Sequence, residues 1–404
     1  MPENIVIVGG GHAGASAAEA LRREGHEGRI LLLGAEPHLP YQRPPLSKKL
    51  LSGEQTLERG LIRSAAFYEQ GRIETRLGTR VEALDCSQSR LTLADSSVVE
   101  YDALLLCTGS EPRRLSVPGA QLDGVFYLRT ADEVEAIRSR CRPGARLVVV
   151  GGGYIGLEVA ATCRKLGLEV RVLEMADRVM NRVVAPVVSS FYQAEHGAQG
   201  VAIHLKATVN AFVGDGSVRE VVCADGSSHL ADLVVVGIGV LPADRLARDA
   251  GLACDDGIVV DEYCRTSAPQ VFAAGDCTSH PSPRYGRRVR LESVDNAFEQ
   301  GRTAAANMAG RSVAHDKVPW FWSDQYDLKL LIVGLSHGHD AVVVRGDRAN
   351  RSFSVCYLRG GELIALDAVN SPKDYRAARK LIAERARPDP VRLADPAVAL
   401  KDCS

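Results

Sequence analysis

The chain has 404 residues, 46% of them apolar and 25% charged, with a formal net charge of −1. That is the balance of an ordinary soluble globular protein of two to three domains, long enough to bury a large core without metals or crosslinks. It excludes a disordered chain, a collagen-like fibre and a disulfide-stapled miniprotein, and it leaves no global basic footprint for nucleic acid.

An apolar strand over 5–8 opens the chain and leaves no room ahead of it for a signal or transit peptide. The longest apolar runs, such as 230–241, fall short of the ~20 residues that span a bilayer, so the expected compartment is the cytoplasm. The strand runs into Gly9-Gly10-Gly11-His12-Ala13-Gly14, then a predicted helix over 15–24 and a second apolar strand over 29–33. Strand, G-x-G-x-x-G, helix, strand is the order a dinucleotide site demands. Gly9 allows the tight turn, Gly11 lets backbone approach a pyrophosphate, and Gly14 lets the helix pack on the strand. The helix N-terminus offers free N–H groups and a partial positive charge to phosphates. The nearest acid, Glu36, follows Gly34-Ala35, and is either a ribose ligand or an exposed loop residue.

A buried strand over 104–107 ends in Thr108-Gly109, and Pro112 and Pro118 beyond it mark a crossover linker. The unit then recurs. Residues 147–150 run into Gly151-Gly152-Gly153-Tyr154-Ile155-Gly156, followed by a helix to Lys165 and a strand over 169–173. Glu174 closes that strand about 20 residues after the glycines, where an acid holds a ribose 2′-OH and repels a 2′-phosphate. The second site is therefore expected to take NAD, with Arg178 the one nearby cation that argues otherwise. Two full copies, with Gly9 and Gly151 142 residues apart, predict two nucleotide-binding folds.

Further on, a buried strand from Val271 ends in Gly275-Asp276, an Asp placed to accept from ribose or ribityl hydroxyls, or else an ordinary turn residue. Arg284, Arg287, Arg288 and Arg290 crowd the loop that follows, with Arg302 on the next helix. They form either a docking patch for an acidic partner or a solvated loop. Past residue 314, runs at 330–333, 341–344, 352–357 and 363–368 read as antiparallel strands, with a turn at Arg359-Gly360-Gly361 and a helix opened by Ser371 as N-cap and Pro372. His337-Gly338-His339-Asp340 looks metal-like but lacks companion ligands, so no metal is expected. None of the ten cysteines is spaced C-x-x-C, and most lie in apolar patterns, as buried reduced thiols do.

Taken in order, GGGHAG, CTGSEPR, GGGYIG…LE and AAGDC resemble the two-dinucleotide-fold flavoprotein reductases. RPPLSK at 43–48, YLRT at 127–130, GGGYIGLEVA at 151–160, ESV at 292–294 and PWFWSDQ at 319–325 are similar to the oxygenase-coupled, FAD-dependent ferredoxin reductases, over nearly the whole chain. The resemblance implies an α/β fold: two Rossmann-like, glutathione-reductase-like domains plus a smaller α+β C-terminal domain. It places FAD binding at 1–110 and 235–314, NAD binding at 111–234, and a flavin-covering, partner-docking domain at 315–404. Disulfide reductases of this fold carry a redox-active cysteine early in the chain. Here no cysteine precedes Cys86, so electrons must leave the flavin directly.

By the same resemblance, FAD contacts fall on Gly9, Gly11, Ala13, Gly14, Lys48, Val81, Arg129, Asp276 and Val294, with Thr108, Gly109 and Trp320 also assigned to the cofactor. Family members often have an acid at the position of Ala35, and here Ala35 is followed by Glu36. NADH contacts fall on Gly151, Gly153, Ile155, Gly156, Glu174 and Gly239. Lys48 and Glu158 look like the family's catalytic pair, a cation that stabilises charge arriving with hydride and the carboxylate that partners it. The implied activity is transfer of electrons from NADH through FAD, singly, to a 2Fe-2S ferredoxin that supplies a cytochrome P-450-type monooxygenase or ring-hydroxylating dioxygenase. Arg287, Arg302 and Trp322 are candidate docking residues. Alternatives are a rubredoxin reductase or NADH oxidase on the same scaffold, or a redox-controlled binding protein resembling apoptosis-inducing factor.

Overall fold

The structure, a computed structural model, describes residues 2–403. The chain forms two compact units, one comprising the residues up to Gln42, Leu57–Glu111 and Val240–Lys317, the other Arg43–Thr56, Pro112–Gly239 and the residues from Val318 onward.

At the centre of the first unit is a parallel sheet in the order Val271–Ala273, Ala103–Leu106, Asn4–Val8, Arg29–Leu33, Ile73–Arg76. The inner strands Asn4–Val8, Arg29–Leu33 and Ala103–Leu106 are nearly continuous runs of Ile, Leu and Val because both faces are covered, whereas the edge strand Ile73–Arg76 reads IETR. Ile5, Ile7 and Leu105 join a cluster with Ala17, Leu21 and Ala304 on one side, while Val6, Val8 and Leu104 join the cluster on the other. The first helix begins at His12, three residues earlier than the pattern suggested, because Gly11 is its N-cap and Gly14 lies within it. It packs tightly on the helix Val294–Met308, where a Cβ on Gly301 would press on the carbonyl of Ala13.

The arginine-rich segment expected as a loop is a hairpin, Thr278–Ser282 with Arg287–Val289. The hairpin form turns some of its cations inward. Arg288 donates to the carbonyls of Val260 (2.6 Å) and Ser279, and Arg290 pairs with Asp256 (3.0 Å) and Glu292 (2.5 Å). Arg287 is exposed, and Arg302 is half-exposed beside Glu299 at 2.8 Å.

The second unit contains another parallel sheet, Ala202–Leu205, Glu169–Glu174, Arg146–Val150, Leu233–Val236, Val125–Tyr127. It also holds an antiparallel sheet in the order Trp320–Gln325, Leu328–Gly334, Glu362–Val369, Ser352–Arg359, Ala341–Asp347. Four of these five strands were expected; Trp320–Gln325 was not. Its two faces meet different surroundings, so no apolar alternation shows. Trp320 and Trp322 pack against the sheet's own core, while Phe321 and Ser323 meet Tyr154 and Glu158 of the helix Tyr154–Lys165. Ser371 does precede the helix Pro372–Ala383, but its hydroxyl donates to Asp374 at 3.2 Å instead of capping backbone.

Asp367, on the middle strand of this sheet, is buried and accepts from the Tyr357 hydroxyl, which itself accepts from the Ala185 N–H at 2.8 Å. Burial pushes its carboxyl from the ordinary 3.8 up to about 7. The folded state thus keeps a proton that the unfolded chain releases near pH 4, and the stability this lends is lost as pH rises through the folded value. Asp367→Asn stays neutral throughout. Between pH 5 and 8 it is expected to lose less stability than the parent by on the order of 3 kcal/mol, read from urea unfolding at both pH values. Identical losses in the two proteins would contradict the raised carboxyl.

Candidate functional site

Each Gly-rich turn is built the same way. Gly9 has φ +124° and Gly151 φ +106°, and a Cβ on either would strike a carbonyl, that of Cys107 or of Gly237. Gly14 and Gly156 lie inside their helices, where a Cβ would strike the carbonyl of Gly9 or Gly151. The protein's own packing therefore demands the first and third glycines. It does not demand the middle one. Gly11 and Gly153 have ordinary negative φ, and a Cβ there would meet nothing within 4 Å. Each stands as N-cap of a 12-residue helix, so the open space lies in front of helix-terminal N–H groups. A space that a side chain would fill, at the positive end of a helix, fits a pyrophosphate in both copies.

Around the first turn, the ends of neighbouring strands supply the remaining groups. Thr108 donates to the Ala243 carbonyl at 2.6 Å, and Gly109 turns the chain at φ +73°. Gly275, at φ +90°, is held by Gln300 at 2.8 Å, and Asp276 beyond it is half-exposed and accepts from Ser110 at 2.9 Å. Ala13 lies on the first helix, Val294 opens the helix Val294–Met308, and Val81 opens the strand Val81–Asp85. Thr108 and Gly109, and Gly275 and Asp276, follow the carboxyl ends of two parallel strands, the usual ligand side of such a sheet, whereas the strand that Val81 opens belongs to an antiparallel sheet.

The second turn carries its acid as the spacing predicts. Glu174 accepts from the Gly152 N–H at 2.7 Å and the Ala176 N–H at 2.8 Å, which fixes the carboxylate beside the glycine turn. Arg178 is committed elsewhere, donating to Val184 and Asn181 carbonyls and Ser189 at 2.6–2.8 Å. Ile155 is 45% exposed on the helix's first turn, an apolar surface at the rim, and Gly239 turns the chain at φ +99°. Strand register explains the irregular first copy. Val8 pairs with Leu33 as Val150 pairs with Leu173, so Gly34 stands where Glu174 does. Ala35 is exposed, and the Glu36 carboxylate, two residues on, accepts from Tyr41 at 2.5 Å.

Within the second unit, Pro44–Ser47 form a 3₁₀ turn that delivers Lys48 to Glu158, with Nζ 2.5 Å from Oε2. Ser47 donates to the same oxygen at 2.5 Å, Ser323 to Oε1 at 2.7 Å, and Thr162 holds the Ser47 carbonyl at 2.8 Å. Tyr154, Glu158 and Thr162 succeed one another at four-residue spacing along one helix face, so that Tyr154 and Glu158 meet the strand Trp320–Gln325 while Glu158 and Thr162 meet Ser47. Glu158 is 4% exposed, so only this set of donors makes its burial tolerable. Lys48 and Glu158 were expected together; Ser47, Thr162, Ser323 and Gln325 were not, although Ser47, Ser323 and Gln325 lie in motifs already singled out for other residues and Thr162 lies on the predicted helix that runs to Lys165. Arg129 has its carbonyl held by Arg43 at 2.9 Å, and Trp320 stacks on Trp322 at 5.4 Å beneath Arg379. His339 is bound to the Ser336 carbonyl at 2.8 Å, and among the described residues no group of three or more potential ligands is placed to hold a metal.

The model of the pyridine nucleotide-disulphide oxidoreductase family matches residues 3–301, and a reductase C-terminal model matches residues 320–404. The chain is 47% identical over 403 residues to the 5,5'-dehydrodivanillate O-demethylase ferredoxin reductase subunit of Sphingobium sp., covering 99% of this chain and 98% of that one. It is 43% identical over 406 residues to putidaredoxin reductase of Pseudomonas putida, covering 99% and 96%. A crystal structure of the covalent putidaredoxin reductase–putidaredoxin complex aligns with a TM-score of 0.96 over 99% of this chain and 97% of that one, at 43% identity. Despite the family's name, all ten cysteines here are free thiols. With two matching glycine-rich turns at helix N-termini, a Lys48–Glu158 ion pair and this likeness along its whole length, the chain belongs to the pyridine nucleotide-disulphide oxidoreductases, among the ferredoxin reductases of oxygenase systems.

Proposed function

We propose that the protein is an NADH-dependent flavoprotein reductase that passes electrons from NADH through FAD, one at a time, to a 2Fe-2S ferredoxin serving a cytochrome P-450-type monooxygenase or a ring-hydroxylating dioxygenase. The observation that carries this is the pair of open middle glycines, Gly11 and Gly153, each facing a helix N-terminus, in a chain without an early cysteine to act as a dithiol relay. Bound FAD supplies a two-electron acceptor of hydride that gives its electrons back singly.

The chain's own residues bind and orient. Gly9, Gly11 and Gly14, with Ala13, Thr108, Gly109, Asp276 and Val294, hold FAD in the segments 1–110 and 235–314. Glu36 serves its adenosine ribose, since Gly34 cannot. Gly151, Gly153, Ile155, Gly156 and Gly239 hold the nicotinamide nucleotide in 111–234, and Glu174 favours NADH by occupying the place of a 2′-phosphate. Lys48 Nζ, kept in place by Glu158, is the cation that answers charge arriving at the flavin. Hydride transfer asks for no protein acid or base, only for alignment and exclusion of water. No helix among the described residues is long and apolar enough to cross a membrane; the cytoplasm is the compartment we infer.

Arg287 and Arg302 are the cations of the arginine-rich region that we assign to ferredoxin docking. Reversing both charges, Arg287→Glu with Arg302→Glu, is expected to raise the KM for a 2Fe-2S ferredoxin about tenfold at low ionic strength. Reduction of ferricyanide, which needs no docking surface, should stay unchanged. Equal losses with both acceptors would refute the docking role.

A further inference from the structure

Glu158 is one end of a longer line of buried hydrogen bonds. Ser323 Oγ lies 2.7 Å from Glu158 Oε1, and Gln325 Nε2 lies 3.1 Å from Ser323 Oγ. His196 Nε2 is 2.8 Å from Gln325 Oε1, and the Tyr326 hydroxyl is 3.1 Å from His196 Nδ1. Glu158 is 4% exposed, Gln325 1%, and Ser323 and His196 not at all. Ser323 and Gln325 reach the line because alternate residues of a strand share a face.

The charge at one end dictates every proton along it. A carboxylate only accepts, so Ser323 spends its single proton on Glu158. Ser323 must then accept from the Gln325 amide, which turns Gln325 Oε1 toward His196. The ring nitrogen facing that oxygen, Nε2, must carry the proton, and Nδ1 is left to accept from Tyr326. Burial lowers the His196 pKa, so the ring is neutral and one tautomer has to be chosen. Because the Gln325 carboxamide holds no readily transferable proton, the line polarises towards Glu158 without conducting.

We propose that Ser323, Gln325 and His196 are positioning residues, a one-way line of donors that holds the Glu158 carboxylate turned with Oε2 on Lys48 Nζ. The inference rests on reading Lys48 and Glu158 as the pair that serves flavin reduction, and it extends that pair by three residues.

Two measurements on the FAD-loaded protein test it. Nitrogen-15 labelling of histidine identifies the His196 tautomer, with the signal assigned by its loss in His196→Gln. The line requires Nε2–H, whereas an Nδ1–H ring would reverse every donor and overturn the proposal. In stopped flow, Ser323→Ala is expected to slow flavin reduction by NADH about tenfold. In a Glu158→Gln background the same change should cost less than about twofold, because the group it acts through is gone. Ser323→Thr, which keeps the hydroxyl, should restore the parent rate. Equal losses in both backgrounds would overturn the positioning role. If Glu158→Gln alone leaves flavin reduction untouched, the reading of the Lys48–Glu158 pair falls and the role falls with it. An Nε2–H ring found alongside that result would show a line that serves packing only.

Discussion

Gly11→Val is expected to give a folded but colourless protein. The residue is the N-cap of the first helix, in extended backbone that valine adopts readily, and, having no side chain, it contributes no capping bond that the substitution could remove. A Cβ there meets nothing within 4 Å, so the apo protein should be within about 1 kcal/mol of the parent apo protein by urea unfolding. What the added side chain fills is the space assigned to the FAD pyrophosphate, and flavin absorbance should be lost from the purified protein. Gly9→Ala is the opposite case. Its φ of +124° and the Cys107 carbonyl in the path of a Cβ make alanine costly by roughly 3 kcal/mol or more in the apo protein itself. A Gly11→Val protein that retains stoichiometric FAD would contradict the cradle.

Lys48→Ala is expected to retain FAD yet lose about 10²-fold in anaerobic single-turnover flavin reduction by NADH. The lysine pairs with Glu158, and its ammonium also donates to the Pro44 carbonyl at 3.3 Å, so its position is set by the 3₁₀ turn that carries it. Removing it leaves a carboxylate at 4% exposure with the Ser47 and Ser323 hydroxyls as its remaining donors. That costs stability as well as rate. Comparing Lys48→Ala with the double variant Lys48→Ala, Glu158→Gln separates the two, because the glutamine removes the buried charge but not the need for a cation. An unchanged reduction rate in Lys48→Ala would end its assigned role.

The parts of the site that could be read from sequence were those in which backbone geometry restricts residue type. Gly9, Gly14, Gly151 and Gly156 are glycines because a Cβ would strike a carbonyl, and that restriction shows in a single chain as a repeated spacing. Glu174 was equally legible, since strand length and turn length fix its distance from Gly151. The donors around Glu158 were not. Ser323 is 165 positions away from the carboxylate it serves, and an ordinary Ser, Thr or Gln carries no mark of its partner. The strand Trp320–Gln325 was hidden because its faces meet a sheet core on one side and a polar helix stripe on the other. The hairpin in the arginine-rich segment was missed because the residues that pair, His280, Pro281 and Ser282 with Val289, Arg288 and Arg287, show no apolar alternation. Gly34 shows the reverse problem, a position whose significance appears only once register aligns it with Glu174.

The most direct measurement of the electron-transfer role is cytochrome c reduction by NADH with and without an added 2Fe-2S ferredoxin. Strong dependence on the ferredoxin, with NADPH a much poorer donor, is the expected result. Rapid bleaching of the flavin by NADH with no gain on adding ferredoxin would contradict ferredoxin as the acceptor, and no bleaching at all would contradict the nicotinamide site at Gly151–Gly156.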